Sequence, residues 1–294
     1  MKIGMTLEPF KGITVKQLLF LMRLLKINHL EINFTMIPEI VEFETNLRNT
    51  TTTFHLPIYS RNRFDLSSIN PKFEDGIEKI ISYINLNWLK INLKYTLSHP
   101  IEDPEGDFNT YIKRLNRIET PIILENIMGV SDNDFLNFYK RVKKSLGEKL
   151  VGIALDGPHK FVDYKGDWLD FPKEFVNEIV YIHVSDCTKT SDLHLPLGLG
   201  EFPYEEFFSF LRKQNYNGII LHEILPSEGR VREVMDSFLF CAKTYSKNKY
   251  RKLKIRYAFI EPLIQFKIDS AFKVFNKTGK KLLVNDLNYD FIKT

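Results

Sequence analysis

The stretch "LVGIALDGPHKF", residues 150–161, runs six apolar or small residues into Asp156, then turns through Gly157 and Pro158 to His159. A short β-rich run that ends on an acid, with a helical segment to follow, is half of a βα unit. Whether the unit stands alone or repeats decides the fold. It repeats. Comparable runs are "KIGMTL" at 2–7, "HLEIN" at 29–33, "TTTFHL" at 51–56, "LKINLKYTLS" at 89–98, "PIILEN" at 121–126, "IVYIHV" at 179–184 and "GIILHEI" at 218–224.

Amphipathic segments of helical length separate these runs. Thr14 stands before "VKQLLFLMRLL", Pro71 opens "PKFEDGIEKIISYI", Ser131 and Asp132 precede "NDFLNFYKRVKKSL", and "SEGRVREVMDSFLFCAKTY" follows the last run. These are helix start signals and helical patterns. Eight alternating strands and helices predict an α/β fold, a (β/α)8 barrel, over residues 1–245. A doubly wound open sheet is the alternative, but its dinucleotide fingerprint needs glycines after an early strand, and "EPFKGITV" has one. Residues 250–294 break the pattern. In "AFKVFNKTGKKLLVND" two β-rich runs flank the turn signal "NKTG", which predicts an appended hairpin, read as a barrel cap or a contact in a homo-oligomer.

With 44% hydrophobic and 27% charged residues, the 294-residue chain has the composition of a soluble globular protein. No apolar run approaches the roughly 20 residues that cross a bilayer, so no membrane partner is expected, and "MKIGMTLEPF" lacks the pattern of a secretory signal. Two cysteines, Cys187 and Cys241, form no disulfide framework and no zinc-knuckle spacing, which fits a reducing, cytoplasmic setting. The net charge of +4 identifies no partner, and the basic run "KTYSKNKYRKLKIR" at 243–256 reads as a solvated linker ahead of a nucleic-acid patch.

In a (β/α)8 barrel the C-terminal ends of the strands converge on one mouth. There the runs carry His55, His99, Glu125, Asp156, His183 and Glu223 in turn. Any one of them has an ordinary structural reading; six at successive strand ends do not. His159 lies three residues beyond Asp156, and Asp192 and His194 come from "DLHLPLGLG", where Gly198 and Gly200 permit tight turns. Mixed imidazole and carboxylate donors suit zinc, manganese, cobalt or iron. Glu31 faces either the mouth or a salt bridge. His222 is expected to point outward, because successive strand residues alternate faces. Cys187 lies near enough to His183 in sequence to be weighed as a ligand, and Trp168 and Phe171 read either as an apolar wall over a substrate or as loop packing.

Together "FHLP" (54–57), "LSHP" (97–100), "LEN" (124–126), "LDGPH" (155–159), "HVSD" (183–186), "DLHLPLGLG" (192–200) and "HE" (222–223) resemble the xylose-isomerase-like TIM barrel superfamily, which includes endonuclease IV and sugar isomerase and epimerase relatives. The resemblance covers about 1–245. In the isomerase and epimerase branch it implies one divalent ion held by Glu125, Asp156, His183 and Glu223. In the endonuclease branch it implies three zinc ions, with His55, His99, His159, Asp192 and His194 added. Pro158 and Leu199 depart from the usual glycine and glutamate of these motifs. The intervals from His99 to Glu125 and from His159 to His183 are shorter than in endonuclease IV, which leaves little chain for gripping DNA. The expectation is therefore a metal-dependent isomerase or epimerase of a small sugar-like substrate. Glu125 and Glu223 would be its catalytic acids and bases, and the metal would stabilise an enediolate. A zinc phosphodiesterase is the alternative, with nucleic acid the lesser expectation as partner.

Overall fold

The structure is a computed structural model; it describes residues 1–7, 15–36, 47, 50–162, 164, 166–224 and 231–278. Eight strands form a closed barrel in sequence order: β1 (Lys2–Thr6), β2 (His29–Asn33), β3 (Thr51–His55), β4 (Leu93–Ser98), β5 (Ile122–Glu125), β6 (Leu150–Asp156), β7 (Ile179–Val184) and β8 (Ile219–His222). Every neighbouring pair is parallel, including β1 with β8, so no edge is left open. All eight strands fall on the expected runs. The fourth is shorter than its run: the backbone turns through Asn92, whose φ is +51°, before the strand begins.

Helices Val15–Leu25, Glu74–Asn87, Phe108–Arg117, Asp132–Leu146, Tyr204–Lys213 and Val231–Tyr245 connect the strands around the outside. Local chemistry sets their starts. Ser131 accepts from the backbone N–H of Asp134, and Asp107 does the same for Thr110, each satisfying a free donor of the first turn. Thr14, read as a start signal, lies outside the described residues. Among the described residues no helix is long and apolar enough to cross a membrane.

The period-2 geometry of a strand separates two cores. Ile122, Leu124, Ile153, Leu155, Ile182, Val184 and Ile220 point outward and pack into the large shell beneath the helices. Leu97, Ile123, Ala154, Tyr181, Ile219 and Leu221 point inward and form a separate cluster inside the barrel. Two residues further along each strand, the inward face continues as His99, Glu125, Asp156, His183 and Glu223 at the mouth. His222, one residue out of step, lies outside as expected, edge-on to Phe238 with ring centroids 4.7 Å apart.

The tail differs from the expected hairpin. Residues Lys247–Thr278 form one long helix, and residues 279–294 lie outside the described residues. The cause is tertiary: Leu253, Tyr257 and Ile264 are buried at helical spacing, Tyr257 Oη donates to the carbonyl of Leu25, and Arg256 bonds that of Leu24. The helix is packed on the outside of the barrel against Val15–Leu25 and Val231–Tyr245.

Trp168 packs the loop after β6, whereas Phe171 both packs that loop and forms part of the wall of a cavity beside the mouth, which Trp168 does not line. Trp168 sits 5.3 Å from the Phe202 ring and 5.8 Å from that of Phe207. Phe171 sits 5.2 Å from Phe175. Phe207 is fully buried in this aromatic cluster. Phe207→Ala is expected to cost about 3–5 kcal/mol, read as a lower denaturant midpoint with an unchanged slope.

Candidate metal centre

The strand registers bring the mouth residues to one level. Asp156 on β6 pairs with His183 on β7, and His55 at the end of β3 pairs with Leu97, two residues before His99. Around His183 Nδ1 lie Glu125 Oε1 at 2.8 Å, Glu223 Oε2 at 3.1 Å and Asp156 Oδ2 at 3.7 Å. These four residues offer donor atoms that all lie within 4.8 Å of one another, as do His55, His99 and Glu125.

Glu125 belongs to both groups and divides its oxygens between them. While Oε1 faces His183, Oε2 lies 3.1 Å from His99 Nε2 and 3.4 Å from His55 Nε2. A third set adjoins the first two: Asp192 Oδ2 is 3.4 Å from His159 Nε2 and 3.2 Å from His194 Nε2. His159 Nδ1 in turn stands 3.8 Å from Glu125 and 3.9 Å from Asp156. All nine residues singled out from the sequence thus meet at one rim.

Burial and charge explain the protonation pattern. Burial works against the Glu125 carboxylate, but the His183 and His99 imidazoles outweigh it and hold its pKa well below the usual carboxylate range. Glu223 is likewise held low against burial, by His194 and His183. Burial disfavours charge on His99, yet Glu125 and Glu102 lift its pKa to about 9. Asp156 goes the other way: burial pushes it up to about 6, with Asp192 and Glu125 adding to the rise against the pull of His159.

The polar atoms left over fit a cation. Asp156 Oδ2, Asp192 Oδ1 and His194 Nδ1 are buried without a hydrogen-bond partner, and such groups ordinarily find one. With nitrogen and oxygen donors in this number, a divalent transition ion fits the first group, and the two flanking groups offer it neighbours.

The loop that carries Asp192 and His194 is held by Asp186, which the sequence reading left without a role. Its carboxylate accepts the backbone N–H groups of Cys187, Gly198 and Phe202 at 2.6–2.9 Å. Gly200 lies so close that an added Cβ would stand 2.5 Å from Asp186 Oδ1 and from the Cys187 carbonyl. Gly198 takes a φ of +92°, which a side chain would strain. Cys187 is buried in the outer core and stands in neither ligand group.

Two acids behind the imidazoles escaped a firm reading. Glu102 Oε1 lies 2.6 Å from His99 Nδ1, and nothing in its loop sequence marks it. Glu31 is buried with Oε2 2.9 Å from His183 Nε2; its inward parity on β2 was the available signal. Beside the site a cavity of about 700 Å³ is lined by Asn126, His159, Tyr164 and Phe171 among others.

Known proteins share this architecture. An uncharacterised protein of Methanocaldococcus jannaschii is 27% identical over 175 residues, 55% of this chain and 66% of that relative, so the match spans just under two thirds of its length. Among solved structures, the D-psicose 3-epimerase of Clostridium cellulolyticum with D-tagatose superposes with a TM-score of 0.58 at 16% identity, over 90% of this chain and 99% of its own. A 3-keto-D-glucoside 4-epimerase from E. coli gives 0.59 at 14% identity, over 83% and 99%. At such identities the likeness is one of fold. Residues 44–241, two thirds of the chain, match the family described as xylose isomerase-like TIM barrel, and the chain belongs to that family.

Proposed function

We propose that the chain is a divalent-metal-dependent isomerase or epimerase of a small sugar-like substrate, working by proton transfer next to a carbonyl. The observation that carries this reading is the unequal setting of the two glutamates flanking His183. Glu125 is buried with both oxygens against imidazoles, whereas Glu223 touches His183 through one oxygen and its side chain is 18% exposed. In this reading Glu125 holds the ion, and Glu223, which shares in holding it, also meets substrate.

An ion held by Glu125, Asp156, His183 and Glu223 would act as a Lewis acid toward the substrate's carbonyl oxygen. Glu223, ionised at neutral pH, would take the proton from the carbon next to the carbonyl and return it to the former carbonyl carbon, while the hydroxyl proton of the first carbon passes to the former carbonyl oxygen. Removal and return by a single base accomplish a 1,2-shift, which is isomerisation. Epimerisation with inversion through a base on the far face would ask Glu125 to release an imidazole, so the geometry favours the single-base version. His55, His159 and Asp192 stand at the rim as partners for substrate hydroxyls.

A second reading, phosphodiester hydrolysis, rests on one specific observation: the sets His55–His99–Glu125 and His159–Asp192–His194 add ligands that a mononuclear isomerase does not need. Metal content separates the two. Protein purified without added metal is expected to carry about one ion per chain, exchangeable for manganese or cobalt. Near three zinc ions per chain, with cleavage of a phosphodiester, would overturn the isomerase reading.

The chemistry is tested by incubating a panel of aldoses and ketoses with the protein in D2O. Deuterium is expected at the carbon next to the carbonyl, and Glu223→Gln is expected to slow its incorporation by about 10²–10⁴-fold while the protein remains folded. Exchange at the wild-type rate in that variant would remove Glu223 from the mechanism. Chelation is expected to abolish exchange and lower Tm, since a bound ion stabilises the folded state that holds it.

A further inference from the structure

Behind the metal centre a chain of hydrogen bonds runs down the inside of the barrel, and it has one self-consistent direction. Lys2 Nζ donates to Thr51 Oγ1 at 3.2 Å, and Thr51 Oγ1 lies 2.9 Å from His29 Nδ1. His29 Nε2 is 3.0 Å from Tyr181 Oη and 3.1 Å from Thr53 Oγ1. Tyr181 Oη donates to Glu31 Oε2 at 3.2 Å, the same oxygen that stands 2.9 Å from His183 Nε2.

The donors can be assigned by elimination. The Glu31 carboxylate can only accept, so Tyr181 spends its one hydroxyl proton there and must itself accept from His29 Nε2–H; Nδ1 of the uncharged ring then accepts from Thr51, which accepts from Lys2 and whose contact to the Asn28 carbonyl is longer, 3.5 Å. That makes His29 the neutral tautomer protonated on Nε2. This agrees with its full burial, which together with Lys2 and Lys94 keeps the ring from charging. Its Nε2–H then serves Tyr181 and Thr53, leaving the tyrosine hydroxyl to donate to Glu31. Glu31, an acceptor, is left facing His183 Nε2, which must donate. One ring nitrogen of His183 is thereby committed, and the lone pair of the other, Nδ1, faces Glu125, Asp156 and Glu223.

We propose that Glu31, oriented by Tyr181 and His29, is the positioning residue of the metal centre: it fixes the tautomer and ring plane of His183, so that Nδ1 is offered to the ion. The inference rests on the metal reading of the site. The physical reason is general, since a metal-bound imidazole that donates its other N–H to a carboxylate is both oriented and made more basic. Glu31 makes this contact at 1% exposure, where screening by water is absent. Thr51, Thr53, Tyr181, His29 and Glu31 lie on β2, β3 and β7, so the relay also ties the His183 strand to the opposite side of the barrel.

The test uses the full chain stripped of metal and titrated with Co²⁺, whose visible spectrum reports ligand geometry. Glu31→Gln is expected to bind Co²⁺ about 10–100-fold more weakly than wild type, with a shifted absorption band. Tyr181→Phe is expected to move both in the same direction by less. Tyr257→Ala, on the tail helix outside the barrel, lowers stability but should leave the cobalt spectrum in place, which separates positioning from mere loss of folding. Should Glu31→Gln fail to fold, Tyr181→Phe and His29→Gln carry the test. Folded variants that bind Co²⁺ with wild-type affinity and spectrum would overturn the proposal for Glu31. Wild-type protein that takes up no Co²⁺ would instead overturn the metal reading itself, and this inference with it.

Discussion

The arrangement at the mouth depends on one buried carboxylate. Glu125 is 1% exposed and ionised, with an oxygen on each side met by a different imidazole set. Taking such a charge out of water costs several kcal/mol unless opposite charge and hydrogen bonds surround it. That requirement ties together the ends of β3, β4, β5 and β7, because His55, His99 and His183 must all reach the same group. Without an ion, protons on the His99 and His183 imidazoles supply the positive charge; a bound ion would supply it instead. The site is therefore built around a demand for cationic charge that the fold cannot remove.

Barrel geometry sets where this demand can arise. Inward positions below the rim are filled by Leu97, Ile123, Ala154, Tyr181 and Leu221, which pack against one another and admit no ion. Two residues higher, the inward faces no longer close, and polar side chains there meet across the opening. Inward parity and the last turn of each strand together specify the ligands. The same parity on β2 brings His29 and Glu31 to the inside and explains why a polar chain crosses an otherwise apolar interior.

Much of this was legible in the sequence because both signals are periodic. Runs ending in His55, Glu125, Asp156, His183 and Glu223 announce strand and site together, and His222 could be set aside on parity alone. Glu31 stayed ambiguous, since its role depends on His183, 152 residues away. Glu102 was missed for a similar reason: it reaches His99 from a loop, where no period says which way a side chain faces. Asp186 was visible only as part of a motif, because its work is to gather backbone N–H groups that a sequence does not display. The tail was misread when Val and Phe in "AFKVF" were taken for strand formers. Leu253, Tyr257 and Ile264, spaced for a helix that docks on the barrel, held the better signal. Their burial anchors the helix, which runs on through "AFKVF" to Thr278.

The central claim, that acids and imidazoles from separate strands assemble one cation site, is tested most directly by anomalous diffraction. Crystals grown with manganese or zinc and measured across the metal's absorption edge should show a peak among Glu125, Asp156, His183 and Glu223. A peak confined to the surface, or none at the mouth with these side chains ordered, would contradict the account.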